Sequence, residues 1–427
     1  MLASPSRLDL YFVLGPNQKG DMKTIMSRRH SPPLPIEIDY NGWGKSVTTK
    51  DMDRILAVLE CPDRIRGIAL TASADDLNKL FTATSGRRPF PALENLALCD
   101  RSHKRLKIPA SFLRGTDLHL RTLKLEHVFL PSISRFLSSA PALTDLTLVL
   151  HTKVGPPPVM SLLSYLQGTP CLRRLELEIV EGKIDGLVHS IKPEETFTLA
   201  KLISFHFRGY SAFLNTFVAA VAIPSVREID IDLYDTSTVP LVPHLPRFIN
   251  NIGERYHAVQ VSMDRDCFHF LLFTRSEYVG HHSPHLRLCT DRFFDSVMHT
   301  SNEFSAKINA AEELILIFAF APGPEEGTPW HTFLQHFPSV KALRVLGSYN
   351  LRIASALHQD HGGLYPAFLP ALEEIEILQT PCCSYESRES ERVAELEAFE
   401  PFVSARRQAG HQVNVVKSNR GLLDIWR

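Results

Sequence analysis

"FPALENLAL" occupies residues 90–98, and close variants follow: "APALTDLTL" at 140–148, "TPCLRRLEL" at 169–177 and "LPALEEIEIL" at 369–378. All share one frame: an apolar residue, two free positions, an apolar residue, one free position, an apolar residue. Ile65-Ile68-Leu70, Leu120-Leu123-Leu125 and Leu143-Leu146-Leu148 fit it, and Leu202-Phe205-Phe207, Val226-Ile229-Ile231 and Val340-Leu343-Val345 are softer copies. The last three letters alternate with period two, which suits a short strand.

From residue 65 to residue 226 the copies start 23 to 30 residues apart, close to the period of a leucine-rich repeat. The intervening text is helical. "PPPVMSLLSYLQG" puts Val159, Leu162, Leu163 and Leu166 on one face, with Pro158 suited to the first turn and Gly168 to the stop. "SAFLNTFVAAVAIP" repeats the pattern with Phe213, Leu214, Phe217, Val218 and Val221, and "PSISRFLSSA" with Ile133, Phe136 and Leu137. Neither half of such a unit buries its apolar side alone, so units stack. Strands pack about 4.8 Å apart and helices about 8–10 Å. The expectation is an α/β, curved leucine-rich-repeat-like solenoid, with parallel strands on the concave side and helices on the convex side.

Residues 1–427 read as a single elongated repeat domain. Within it, 1–60 are degenerate N-terminal units: two strands, "RLDLYFVLG" and "PLPIEIDY", then a helix, "DMDRILAVLE". Residues 61–255 hold the regular repeats. Residues 256–310 lose the frame and read as an irregular unit or a hairpin insertion, with "HAVQVSM" and "CFHFLLFTR" as strands. Residues 311–427 are C-terminal repeats and a cap. There an amphipathic helix carrying Val393, Leu396 and Phe399 meets Pro401, a second short helix ends near Gly410, and "QVNVVK" is a last strand.

The chain has 46 Lys and Arg against 47 Asp and Glu. That balance argues against nucleic acid as the main partner, since phosphate affinity needs a cationic surplus. The basic stretch at Lys19, Lys23, Arg28 and Arg29 and the glutamates between Glu386 and Glu400 read as solvated faces. Seven cysteines without framework spacing indicate a reducing compartment. The apolar run "LILIFAFA" at 314–321 is too short to cross a bilayer, and "LDLYFVLG" lacks the marks of a signal peptide. The expected location is cytoplasmic or nuclear, without membrane contact.

Four patterns invite an enzyme reading. "GWGKS" at 42–46 would complete a phosphate-binding loop only with glycine at 39, where Asp39 stands. Asp230, Asp232 and Asp235 alternate with Ile229, Ile231 and Leu233, as in a strand with its acids on one face; a magnesium site is the competing reading. "HHSPH" at 281–285 is a loop whose histidines lack convergent partners for zinc. "GYSAF" at 209–213 lacks the second glycine of a nucleophile elbow. The expectation is no catalysis, no cofactor and no metal, with a hydrolase or metal-dependent enzyme as the remote alternative.

A protein partner is expected on the concave face. The residues between ladder positions, and their neighbours along the same strands, are the candidates: Lys124, Glu126, Thr147, Glu176, Glu178, His206, Arg208, Asp230, Asp232, Arg344 and Glu376. A mixed row of charges can recognise a partner by electrostatic complementarity.

"LECPDRIRGIAL", "FPALENLAL", "INNIGERYHAVQVSM", "FPSVKALRVLG", residues 368–378 and "FVSARRQAGHQVNVV" together resemble the F-box-associated leucine-rich-repeat proteins of mushroom-type fungi, from about Arg7 to Val416. The resemblance implies target recognition for a cullin–RING ubiquitin ligase, whose F-box would bind a Skp1-type adaptor. No F-box is visible: Leu34-Pro35-Ile36-Glu37-Ile38 has a faint likeness, but Asp39, Asn41 and Gly42 follow, and it reads as a repeat strand. The chain therefore reads as a fragment or shortened product, whose adaptor contact would require an F-box upstream. The alternative is a free-standing leucine-rich-repeat interaction protein unrelated to ubiquitin.

Overall fold

The computed structural model describes residues 12–14, 35–41, 47–84, 90–102, 106–109, 112, 119–127, 137, 140–151, 159–180, 196–234, 244–250, 255–263, 268–274, 284, 286–290, 304–318, 330–347, 350–358, 369–379 and 388–421. It is a mixed α/β chain built on a large, mostly parallel sheet. Backbone contacts divide it into two compact units, Met1–Phe207 with Thr216–Val226, and Arg208–Asn215 with Arg227–Arg427.

In the first unit the strands are β1 (Phe12–Leu14), β2 (Ile36–Asn41), β3 (Ile65–Ala72), β4 (Asn95–Asp100), β5 (Thr122–Glu126), β6 (Asp145–His151), β7 (Arg174–Val180) and β9 (Ser204–Gly209), side by side in that order. A separate parallel pair joins β8 (Phe197–Thr198) to β10 (Val221–Ala222). The pairings of β1 through β7 are all parallel.

The repeated phrase explains itself in hydrogen bonds. Its opening is a turn: Leu93 N donates to Phe90 O at 3.2 Å and Leu143 N to Ala140 O at 3.1 Å. Pro91 and Pro141 sit one residue into these turns, where a fixed φ near −65° favours the bend. The first free position then lends its carbonyl to the next repeat. Glu94 O accepts from both Arg121 N (2.7 Å) and Thr122 N (3.0 Å); Arg121 O accepts from Thr144 N and Asp145 N, and Thr144 O from Arg173 N and Arg174 N. Each repeat thus satisfies the entry of the next strand, a contact that an isolated repeat lacks.

The ladder residues are the core. Leu93, Leu96, Leu98, Leu123, Leu146, Leu175 and Leu177 are at most 1% exposed. Each contributes roughly 1.5–3 kcal/mol before ordering entropy is set against it. Helices α1 (Thr49–Leu59), α2 (Ala74–Thr84) and α3 (Val159–Leu166) connect the strands, and α3 buries Val159, Leu162, Leu163 and Leu166, the stripe its spacing predicts. In α4 (Ser211–Ala220), Phe213, Leu214, Phe217 and Val218 are buried as spaced in the sequence, but Val221, expected on the same helical face, belongs to β10. The helix expected from "PSISRFLSSA" lies outside the described residues apart from Leu137 and Ala140.

The second unit orders its strands β11 (Glu228–Leu233), β14 (Leu286–Thr290), β13 (Phe268–Phe273), β12 (Ala258–Met263), β15 (Glu313–Phe318), β16 (Ala342–Gly347), β17 (Glu374–Gln379) and β18 (Asn414–Gly421). Its helices are α5 (Leu245–Asn250), α6 (Trp330–Leu334), α7 (Asn350–His358) and α8 (Arg388–Gln408). The hairpin reading of "HAVQVSM" and "CFHFLLFTR" is met here, and it corrects the expectation of an all-parallel sheet. β12 and β13 form an antiparallel hairpin, and β13 is also antiparallel to β14. The four residues between β12 and β13 are too few for a parallel crossover.

A second correction concerns the tail. Pro401 does not end a helix; α8 runs through it. Phe399, Phe402 and Val403 are buried on either side of it, so packing holds both halves in line against the proline's cost. The true stop is at Gly410, with φ +87°, where Gly410 N donates to Arg407 O and His411 N to Arg406 O. That paired closure uses the left-handed conformation glycine adopts freely. β18 follows and pairs with β17, as "QVNVVK" predicts.

Candidate protein-binding face

Parallel register brings the residues between ladder positions into rows. In the first unit Asp39, Ala69, Ala97, Lys124, Thr147 and Glu176 lie side by side across β2 to β7. Two residues further along run Asn41, Thr71, Cys99, Glu126, Val149 and Glu178. The opposite face of the same strands is the buried ladder.

Near its middle this face is wired locally. Lys124 Nζ lies 2.7 Å from Glu126 Oε1. Glu126 also takes a hydrogen bond from the Cys99 thiol. Burial acts to raise the Glu126 pKa, but those two bonds together with the charges of Lys124 and His127 outweigh it and hold the carboxyl below its usual range. The same carboxylate raises the Lys124 pKa. The Cys99 thiol is pushed up to about 12, first by burial and then by Glu126. Thr147 Oγ1 donates to Glu176 Oε2 at 3.2 Å, and Ser204 Oγ lies 2.7 Å from His206 Nε2. Arg174 Nε reaches Asp145 Oδ1 at 3.7 Å. Cys99, Asp145 and Arg174 escaped the sequence reading, because they become neighbours only through strand register.

In the second unit, Arg208 Nε lies 3.9 Å from Asp232 Oδ2, and Arg287 Nε lies 3.6 Å from Asp230 Oδ1. Such long, partly exposed pairs contribute about 0–1 kcal/mol. β11 buries Ile229, Ile231 and Leu233 and turns Asp230 and Asp232 to the other side, as the alternation predicts. Asp235, the "GWGKS" loop and all of the "HHSPH" stretch except Pro284 lie outside the described residues. Among the described residues no group of three or more His, Cys, Asp or Glu side chains is placed to hold a metal ion, and no helix is long and apolar enough to cross a membrane.

Arg344 is more enclosed. Its Nε donates to Glu376 Oε2 at 2.8 Å and its Nη1 to Glu313 Oε2 at 3.1 Å. Burial raises the Glu313 pKa; Arg344 opposes that shift, and the charges of Glu376, Glu312 and Glu374 reinforce it. Glu376 is only 8% exposed. The expectation that every intervening residue lies open is corrected at this position, because its carboxylate is spent on Arg344. Around the triad the face is apolar: Leu271, Phe273, Ile315, Ile317, Leu346 and Leu378 form a buried cluster. Register puts Ile315 beside Arg344 and Ile317 beside Leu346, on the side opposite the ladder. The signal was present in "LILIFAFA", an unbroken apolar run where the first unit alternates; such a run marks a strand buried on both faces.

No family model and no curated protein matches the chain. Among solved structures, it is similar to the leucine-rich repeat-containing protein LegL7 from Legionella pneumophila, at 12% identity over 91% of this chain and 97% of that one, with a TM-score of 0.29.

Proposed function

We propose that the protein is a non-catalytic scaffold of leucine-rich-repeat type that binds another protein through the polar face of its sheet. The contrast between the two faces of the first unit carries this reading: the ladder leucines are buried, while the Lys124 side chain is 51% exposed and Asp39, three strands away in the same row, is exposed too. The curved arrangement, strands inside and helices outside, belongs to the same proposal and rests on the different spacings at which strands and helices pack. So does a location in cytoplasm or nucleus. The finer assignment is the target-recognition region of an F-box ubiquitin-ligase subunit, supported by the ordered motifs from "LECPDRIRGIAL" to "FVSARRQAGHQVNVV".

Two experiments divide these claims. A photo-crosslinking residue is placed at Lys124 or Thr147, and as a control at Asp53 or Ala57, which are exposed on α1. Adducts to a discrete protein from the sheet positions alone support the scaffold. Equal adducts from both sides remove the assignment of the face, and none from either removes the scaffold. Gel filtration of the chain with a Skp1-type adaptor then tests for an F-box within residues 1–60: a complex supports ligase membership, and separate elution removes adaptor binding by this stretch of sequence.

A further inference from the structure

We infer that the open face of the first unit takes an extended, Lys/Arg-rich segment of its partner, seated along β3 and β4 against the acidic wall of β2. The inference deepens the scaffold reading and rests on it. The floor is made of small side chains: Gly67, Ala69 and Thr71 on β3, and Asn95, Ala97 and Cys99 on β4. Neighbouring strands are about 4.8 Å apart, so two strands of short residues leave a trough about as wide as one extended chain.

The β2 bank is acidic. On β2 stand Glu37 and Asp39, in register with Gly67 and Ala69. Glu37 leans over the floor: a Cβ built on Gly67 would lie 3.2 Å from its Cγ and 3.5 Å from its Oε1. Among the described residues neither acid makes an ion pair. On the far side β5 places Lys124 beside Ala97 and Glu126 beside Cys99 as a pair, and Glu176 and Glu178 stand two strands further out on β7. The described cations of β5 to β7 on this face are engaged, Lys124 on Glu126 and Arg174 near Asp145. Arg101, just past β4, donates to Asn41 Oδ1 at 2.9 Å. The whole chain is nearly neutral, with 46 basic and 47 acidic residues, so the acid excess is a property of this face. A lysine or arginine lying across Ala69 and Ala97 would rest its methylenes on the floor and reach a carboxylate with its charged end.

The test uses the full chain and a fluorescein-labelled peptide of alternating Lys and Thr, with a Glu-for-Lys peptide beside it. Anisotropy is expected to show binding of the basic peptide alone, weakening as salt rises from about 50 to about 300 mM. The double substitution Glu37→Lys with Asp39→Lys is expected to weaken it at least about tenfold, and Ala97→Phe, which fills the trough, by a similar factor. Asp53→Lys on α1 changes the net charge away from the trough and is expected to leave binding within about twofold. An unchanged thermal transition certifies each variant, and the wall variant decides the matter if Ala97→Phe does not fold. No binding at low salt, an equal loss from Asp53→Lys, or displacement by spermine at the concentration of competing basic peptide would overturn the inference. Sheet-face crosslinks that persist while the peptide fails retain the scaffold and remove the basic partner; loss of both removes the scaffold as well.

Discussion

Glu126 shows how a side chain acquires its chemistry from a neighbour distant in sequence. Alternation within "LKLE" is enough to put it on the polar face, but only register brings Cys99 against it. Its depressed pKa means that its contribution to stability is complete above the unfolded-state value and is lost as pH falls through the folded-state one. For Cys99 the consequence is inertness. A thiol with pKa about 12 is ionised at about one part in ten thousand near pH 8, and the thiolate is the nucleophile. Iodoacetamide at that pH is expected to label the partly exposed Cys61 while Cys99 stays largely unmodified, as mapped by peptide mass spectrometry. Glu126→Gln, which removes the charge, is expected to speed Cys99 labelling severalfold. Equal labelling of the two thiols in the parent chain would contradict the Cys99–Glu126 contact.

Helix starts are set locally, although the sequence reading began α1 at Asp51 and named no helix at α2. Thr48 accepts from Asp51 N at 3.1 Å at the head of α1, and Ser73 accepts from Asp76 N at 3.2 Å at the head of α2. In both, a hydroxyl and an aspartate three residues on supply the cap. Thr48→Ala is expected to cost about 0.5–2 kcal/mol in urea unfolding, and Thr48→Ser only a few tenths. The passage of α8 through Pro401 was not legible, because it depends on what Phe399, Phe402 and Val403 bury against. Nor was the Glu313–Arg344–Glu376 triad, which joins three strands by register. Its Arg344→Met variant would leave two enclosed carboxylates without a cation, at a cost of about 3–5 kcal/mol near neutral pH. An acid whose folded pKa lies above its unfolded one gives stability that is present at low pH and lost as pH rises. Glu313 is already raised, and losing Arg344 removes what opposes that shift. The variant's deficit is therefore expected to shrink as pH is lowered from about 7 to about 5. A deficit independent of pH would mean the triad contributes packing rather than charge.

Across the whole chain, the frame made the ladder readable at every strand that carries it, since burying leucines at fixed spacing is a local demand repeated. Which residues on the other face stay open was readable only in part, because it depends on what lies over them. In the first unit the intervening residues alternate as polar or small, and Lys124 is exposed; in the second, Ile315 and Ile317 occupy the corresponding side of β15 and are buried. A single rule that every intervening residue lies open therefore fails at Ile315, Ile317 and Glu376. Three substitutions separate the cases by chemical denaturation. Leu146→Ala removes a ladder residue that is 1% exposed and is expected to cost about 2–5 kcal/mol. Ile317→Ala, on the nominally outward side at 4% exposure, is expected to cost about as much. Lys124→Ala breaks a partly exposed pair with Glu126 and is expected to cost less than about 1 kcal/mol. If Ile317→Ala were as mild as Lys124→Ala, the apolar cluster around Arg344 would be an exposed patch; a loss matching Leu146→Ala makes that face part of the core, unlike the rows of the first unit, where Lys124 and Asp39 lie open.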